Sequence, residues 1–284
     1  MQKFPDLKNI TLGEWLTLWF ETYKMPTLKP YSIRNIEQMI RIHTPEWLKA
    51  MPMKDITVFH IDLALSKIPL GRTYTYARQV WHSAFFKAQK LGIIDTNVID
   101  LTDKISYKKK KSKALTIAEQ EAFIKALENR RFKWVMLFYL HTGVRRAEAL
   151  TIEWSDIDEE SGLILIKGTK TEDSYRHILL TEEVKKILKA QRKQNRKEGI
   201  KSKFVFPYSK QQVSKNFKIV CPNHHLHDLR HTFITRCAEC GVNVAVCQQL
   251  VGHSTADMTM NVYTHVMDQF KRKEALKFSI FPKF

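Results

Sequence analysis

His227-Asp228-Leu229-Arg230-His231-Thr232-Phe233 is the stretch on which the reading of this chain turns. Within a predicted helix over 227–240, positions i and i+3 share a face, so His227 and Arg230 converge on one ligand. The same stretch offers His224, His225 and His231. His227 and His231 stand at the i, i+4 spacing found in zinc proteases. No glutamate follows the first of that pair and no third ligand is apparent, so no metal is expected.

Working outward, Thr142-Gly143-Val144-Arg145-Arg146-Ala147-Glu148 sets an arginine at a turn into a helix. Backbone N–H groups at such a turn favour anions, although Arg145 could equally pair with Glu148. Downstream, Val251-Gly252-His253-Ser254 is followed by Tyr263. A lone tyrosine on a helix is ordinarily a core residue with a satisfied hydroxyl. Its company along the chain sets this one apart.

Charge narrows the partner. Lys and Arg number 47 against 29 Asp and Glu, a net charge of +18. That excess suits a polyanion, because each cation that neutralises a phosphate releases a counterion. An anionic membrane surface fits less well, since no strongly amphipathic N-terminal anchor is evident. No apolar run approaches the ~20 residues of a membrane span. Residues 1–5, Met-Gln-Lys-Phe-Pro, lack the apolar stretch of a signal peptide. A cytoplasmic location is therefore expected. Cys237 and Cys240 have C-x-x-C spacing, but no second pair exists, and all four cysteines (with Cys221 and Cys247) are read as buried small thiols.

Periodicity divides the chain in two. Thr11-Leu12-Gly13-Glu14 reads as a capping box opening a helix with Trp15, Leu18, Trp19 and Tyr23 on its apolar side. Further helices are predicted from near Ser32, from Thr57, and from about Thr73 to Leu91 with Tyr76, Val80, Ala84 and Ala88 inward. Gly92 would stop the last at C′. These elements make an all-α domain over 8–106. The lysine-rich run within 107–114 reads as a basic linker. The second domain, 115–284, opens on the capping box Thr116–Glu119. It continues through a buried helix over 132–141, a helix near Arg146, and two strands over 163–166 and 176–180. Helices over 182–196, 227–240 and 256–267 follow. The expected class is mainly α with a small antiparallel β-sheet.

In their order, Thr-Gly-Val-Arg at 142–145, His-Asp-Leu-Arg-His-Thr-Phe at 227–233, Gly-His-Ser at 252–254 and Tyr-Thr-His at 263–265 resemble the tyrosine recombinase, or phage integrase, family. The resemblance covers the second domain. The first domain resembles the family's core-binding domain more loosely. It implies a site-specific recombinase that cleaves and rejoins double-stranded DNA through a 3′-phosphotyrosine on Tyr263. Arg145 and Arg230 would clamp the phosphate, and His253 would donate a hydrogen bond to it. His227 would accept the tyrosine's proton or orient a neighbour. Lys170, in the hairpin where the family carries its catalytic lysine, would protonate the leaving 5′-oxygen, with Lys167 a rival. Glu148 would support an arginine.

The chemistry agrees with those residue types. A tyrosine hydroxyl can hold the strand as a covalent ester and so conserve the bond. Two guanidinium forks can neutralise the equatorial oxygens of the transition state without a metal. No cofactor is expected.

The resemblance further implies a C-shaped clamp on duplex DNA at a specific core site. It implies a homo-tetramer on two DNA sites and a role in DNA integration, mobile elements or viral genome integration, with accessory DNA-bending proteins as possible partners. Arg146 departs from a position that is often apolar in the family and is a candidate DNA contact. With only about ten residues before the first helix, the extra arm-binding domain that many members carry is not expected. The apolar residues Leu276, Phe278, Ile280 and Phe281 are expected to dock on a neighbouring subunit. Two rivals are a type IB-like nicking-rejoining topoisomerase and a non-catalytic DNA-binding regulator of the same fold.

Overall fold

The computed structural model describes residues 7–105, 113–168, 175–252, 259–264 and 266. The chain forms two compact units, residues 1–110 and 111–284. The first is all-helical within its described residues: α1 (Leu12–Trp19), α2 (Pro30–Gln38), α3 (Glu46–Lys49), α4 (Val58–Ser66) and α5 (Arg72–Lys90). The capping box at α1 closes in both directions. Thr11 N–H donates to Glu14 Oε2 at 2.9 Å and Glu14 N–H to Thr11 Oγ1 at 3.3 Å. Trp15 and Trp81 are buried, and each indole N–H finds an acceptor: the Ala84 carbonyl and Thr44 Oγ1, both at 3.0 Å. Gly92 takes φ +70° behind α5, and Ile93 N–H reaches back to the Ala88 carbonyl at 3.1 Å, so the predicted stop is observed. The inward stripe of α5 is Tyr74, Ala77, Trp81, Phe85 and Ala88, joined by Val80 and Ala84. Tyr76 is only half-buried, because the bulky Trp81 and Phe85 set the helix's rotation.

The second unit comprises α6 (Ile117–Ala126), α7 (Lys133–Thr142), α8 (Arg146–Ala149), β1 (Ile157–Asp158), β2 (Leu163–Ile166), β3 (Arg176–Leu179), α9 (Glu182–Lys197), α10 (Lys210–Val220), α11 (Asp228–Glu239) and α12 (Val244–Val251). The class is therefore mainly α with a small antiparallel sheet, as expected. The sheet has the order β1-β2-β3, with Ile164 opposite Ile157 on one side and Ile178 on the other. Helix α7 is apolar nearly all round; Val135, Met136, Leu137, Phe138, Tyr139 and Leu140 are all buried. Such a helix belongs in the middle, and α9 and α11 pack on it.

Three elements of the second unit, and the short α3 of the first, go beyond the periodicity reading. Strand β1 has two residues, too few for an alternation to register. Helix α10 is announced by a capping box, with Ser209 N–H donating to Gln212 Oε1 at 2.9 Å and Gln212 N–H to Ser209 Oγ at 3.1 Å. Helix α12 opens on Asn243, whose Oδ1 accepts from Ala245 N–H at 2.8 Å. The expectation of four buried thiols needs correction. Cys221, Cys237 and Cys247 are buried, but Cys240 is exposed, because it caps the solvent end of α11 just before Gly241. Residues 107–112 of the basic linker, the hairpin tip with Lys170 and Thr171, His253 and Ser254, and the tail from 267 lie outside the described residues. Among the described residues, no helix is long and apolar enough to cross a membrane.

Candidate active site

Two of the motifs interlock physically. Helix α7 ends on Gly143 at φ +63°, a left-handed conformation that side chains disfavour. A Cβ there would also stand 2.5 Å from Cδ1 of Phe233 on α11. The tight approach brings the Gly143 carbonyl within 2.8 Å of Arg230 Nη1, which donates to it. Gly143→Ala should therefore combine backbone strain with a clash, costing about 2–4 kcal/mol. A melting temperature lowered by roughly 6–12 °C is expected; a loss below about 2 °C would show that the junction relaxes freely.

Arg145 enters α8 from this turn. Its backbone N–H donates to Glu148 Oε2 at 2.8 Å, and its guanidinium donates to Glu148 Oε1 at 2.7 Å and to the Gly252 carbonyl at 2.5 Å. The Arg145–Glu148 pairing is thus realised, and the N–H that could have met an anion is occupied. Glu148 is 1% exposed and serves a second arginine, Arg176 on β3, whose Nη2 donates to Oε2 at 2.9 Å. Burial works to raise the Glu148 pKa, but the bonds from Arg176 and Arg145 outweigh it, and the carboxyl titrates below its usual range. Arg176 Nε also donates to the Leu250 carbonyl at 2.8 Å. Gly252, at φ +67°, lets Arg176 pass; a Cβ there would lie 2.7 Å from its Nη1. Arg145 thereby holds Gly252, the residue before His253, and Arg176 holds Leu250 two residues earlier.

Arg230 is 2% exposed, and its Nη2 has no partner among the described residues. Burial, and then Arg145 beside it, lower its pKa to about 9, so it stays charged at neutral pH under electrostatic tension. His227, at the entrance of α11, is pushed down to about 4 by burial, by His231 and by Arg230, and is neutral at physiological pH. The His227 and His231 rings stand edge to face, 5.1 Å between centroids. His224 is structural: Nδ1 lies 3.3 Å from Asp228 Oδ2 and Nε2 3.4 Å from Glu119 Oε1, joining α11 to α6.

Tyr263 is buried, 6% exposed, in a small cluster with Ile234, Cys237, Ala238, Cys247, Val251 and Val266. Its hydroxyl has no nitrogen or oxygen partner among the described residues; the polar neighbour is the Cys247 thiol. Burial and that thiol raise its pKa, so the phenol keeps its proton.

Of the predicted residues, Arg145 and Arg230 are brought together with Glu148, and His227 lies one turn from Arg230. Tyr263 lies in its own niche against α11 and α12, while Lys170 and His253 lie outside the described residues. The rival Lys167 is committed elsewhere, its Nζ 2.7 Å from Asp156 Oδ1. Sequence reading missed Arg176. The available signal was strand alternation, which puts it on the same face as the buried Ile178, where an arginine needs a carboxylate.

The sequence pattern of the Phage integrase family matches residues 113–269, more than half of the chain, and that of its N-terminal SAM-like domain matches residues 11–68. A tyrosine recombinase, XerA, from Saccharolobus solfataricus is 29% identical over 170 residues, covering 60% of this chain and 58% of the relative. The ICEBs1 integrase of Bacillus subtilis is 22% identical over 286 residues, covering 87% of this chain and 76% of the relative. The fold is similar to that of the Tn1549 transposon integrase in complex with a circular intermediate DNA: TM-score 0.77 at 21% identity, covering 95% of this chain and all of that one. Lambda integrase residues 75–356, as a dimer bound to a core site, gives 0.74 at 23% identity over 87% and 97%. With both halves matched by the family's patterns and its arginine motifs locked together around Glu148, this chain belongs to the phage integrase family of tyrosine recombinases.

Proposed function

We propose that the protein is a site-specific DNA recombinase that cleaves and rejoins double-stranded DNA through a 3′-phosphotyrosine on Tyr263. One observation carries the reading: Arg145, Arg176 and Arg230 gather around a single carboxylate, Glu148. Three positive charges against one negative leave an excess of two in a largely buried place. Buried like charges are costly until an anion joins them. A phosphodiester supplies that anion, and its transition state, with charge spread over the equatorial oxygens, supplies it more strongly.

In this scheme Arg145 and Arg230 hold the scissile phosphate, and the unpaired Arg230 Nη2 is a donor in reserve. Neutral His227 can take the phenol's proton as Tyr263 attacks phosphorus. His253 donates to a phosphate oxygen, and Lys170 protonates the departing 5′-oxygen. The buried, protonated Tyr263 requires DNA binding to bring hydroxyl and phosphate together. Residues 8–106 would be the core-binding domain, 107–114 a basic linker lying against phosphates, and 115–284 the catalytic domain. The working assembly would be a homo-tetramer on two DNA sites, with the apolar tail docked between subunits, acting in the cytoplasm. Accessory DNA-bending proteins are candidate partners. A relative named ICEBs1 integrase makes integration or excision of a mobile element the favoured setting.

The test is covalent capture on a suicide duplex carrying the core site, in EDTA and without ATP. A protein–DNA band on a denaturing gel at undiminished rate is expected, because the arginines carry the charge stabilisation. Loss of the band in EDTA, restored by magnesium or zinc, would overturn the metal-free mechanism. Relaxation of plasmids lacking the site would favour the topoisomerase. Binding with no adduct on any duplex would favour the regulator.

A further inference from the structure

Arg145 and Arg146 are adjacent but serve different places. Arg145 is spent on Glu148 and Gly252, whereas Arg146 Nη1 reaches across to α10 and donates to Ser214 Oγ at 2.5 Å. Beneath that bond lies a cavity of about 380 Å³. Its lining includes Arg146 on α8, Ser214 and Lys218 on α10, and His225, His227 and Arg230 at the start of α11. No carboxylate lines it. Arg146 meets a neutral hydroxyl, and Lys218 Nζ donates to the Pro222 carbonyl at 2.9 Å, so neither charge is neutralised by these bonds. Arg230 adds a buried Nη2 without a partner among the described residues. Three cations, two of them exposed and one buried, line this cavity with no anion among the described residues, and that charge excess draws an anion to it.

The anion can be identified by position. The cavity shares His227 and Arg230 with the centre described above, so those two residues belong to the cut phosphate. Arg146 and Lys218, which bond only neutral groups there, are available to another phosphate of the same strand, where charges follow one another at ~3.4 Å of rise. Gln211 and Lys215, exposed on α10, continue the polar surface outward. We infer that Arg146, oriented by Ser214, and Lys218 form a second anion subsite that holds the backbone phosphate beside the one that is cut. The inference rests on the recombinase reading for the identity of the cut phosphate. It makes Arg146 a binding residue that fixes the register of the strand across the arginine centre.

The experiment uses the full chain and two probes. On a random-sequence 30-bp duplex, Arg146→Ala should weaken binding roughly tenfold and lower the slope of log affinity against log salt by about one. Lys218→Ala should do the same, and Arg146→Lys should restore the slope. The second probe is a core duplex recovered by binding selection from a randomised pool, then made with one neutral methylphosphonate at each position in turn. At one phosphate next to the cut, wild-type affinity should fall to that of Arg146→Ala, and Arg146→Ala should fall no further. Unchanged affinity and slope in Arg146→Ala, or no position of convergence while wild type still forms its adduct, overturns the subsite and leaves the recombinase reading standing. Convergence without an adduct on any duplex supports a phosphate clamp and sinks the recombinase reading instead. If inorganic phosphate at constant ionic strength binds wild type but not Arg146→Ala, while DNA affinity is equal in both, the cavity is a free-phosphate site and the inference fails.

Discussion

Tyr263→Phe is expected to remove the covalent protein–DNA adduct, with cleavage lowered at least about 10⁴-fold, while DNA affinity stays within about twofold. The hydroxyl is the proposed nucleophile, whereas affinity comes mainly from contacts to phosphates. The structure makes this a clean substitution. The ring is packed by Ile234, Cys237, Cys247 and Val251, all of which phenylalanine can touch equally. The hydroxyl makes no conventional hydrogen bond among the described residues, so its removal leaves no buried nitrogen or oxygen stranded. A change in stability below about 1 kcal/mol is expected. Denaturing gels of suicide-substrate reactions, run beside gel-shift titrations, separate chemistry from binding. An undiminished adduct in the variant would place the nucleophile elsewhere.

Lys170→Ala is expected to slow cleavage by roughly 10²–10⁴-fold, the range for loss of a general acid. The diagnostic is rescue. A substrate with sulfur in the 5′-bridging position leaves as a thiolate without needing a proton, so the variant should cut it at nearly the wild-type rate. Lys167 is the natural control. It is held against Asp156 at 2.7 Å, and that bond raises its pKa, which makes it a poorer proton donor. Lys167→Ala should lose some local stability and show no selective rescue by sulfur. Rescue of Lys167→Ala, with Lys170→Ala unaffected on ordinary DNA, would exchange the two assignments.

Much of the architecture is legible in local pattern. Capping boxes at Thr11 and Thr116, Gly92 behind α5 and the mostly apolar α7 depend on residues within one or two turns of each other, and spacing along the chain reports them directly. The shortfalls have the same origin. Two-residue β1 is too short to show a period. Helix α10, with exposed Gln211, Lys215 and Ile219 around the buried Val213 and Phe217, keeps only a narrow apolar stripe. On α5, Val80, Ala84 and Ala88 face inward as expected and only Tyr76 is left half-buried, because large rings, rather than the mean periodicity, fix the centre of the buried face.

The site divides along the same line. Sequence by itself determined which chemical groups are present and in what order: Arg145, His227, Arg230 and Tyr263 in motifs that a metal-free phosphoryl transfer can use, on a chain with net charge +18. Only the tertiary structure decided how those groups are charged and held. Arg176 meets Glu148 across 28 positions, Gly143 takes its conformation against Phe233, and Cys247, not Cys240, sits beside Tyr263. Coulomb energy and close packing act between side chains brought together from distant parts of the chain. No periodicity or spacing encodes such a meeting; it exists once the helices have packed.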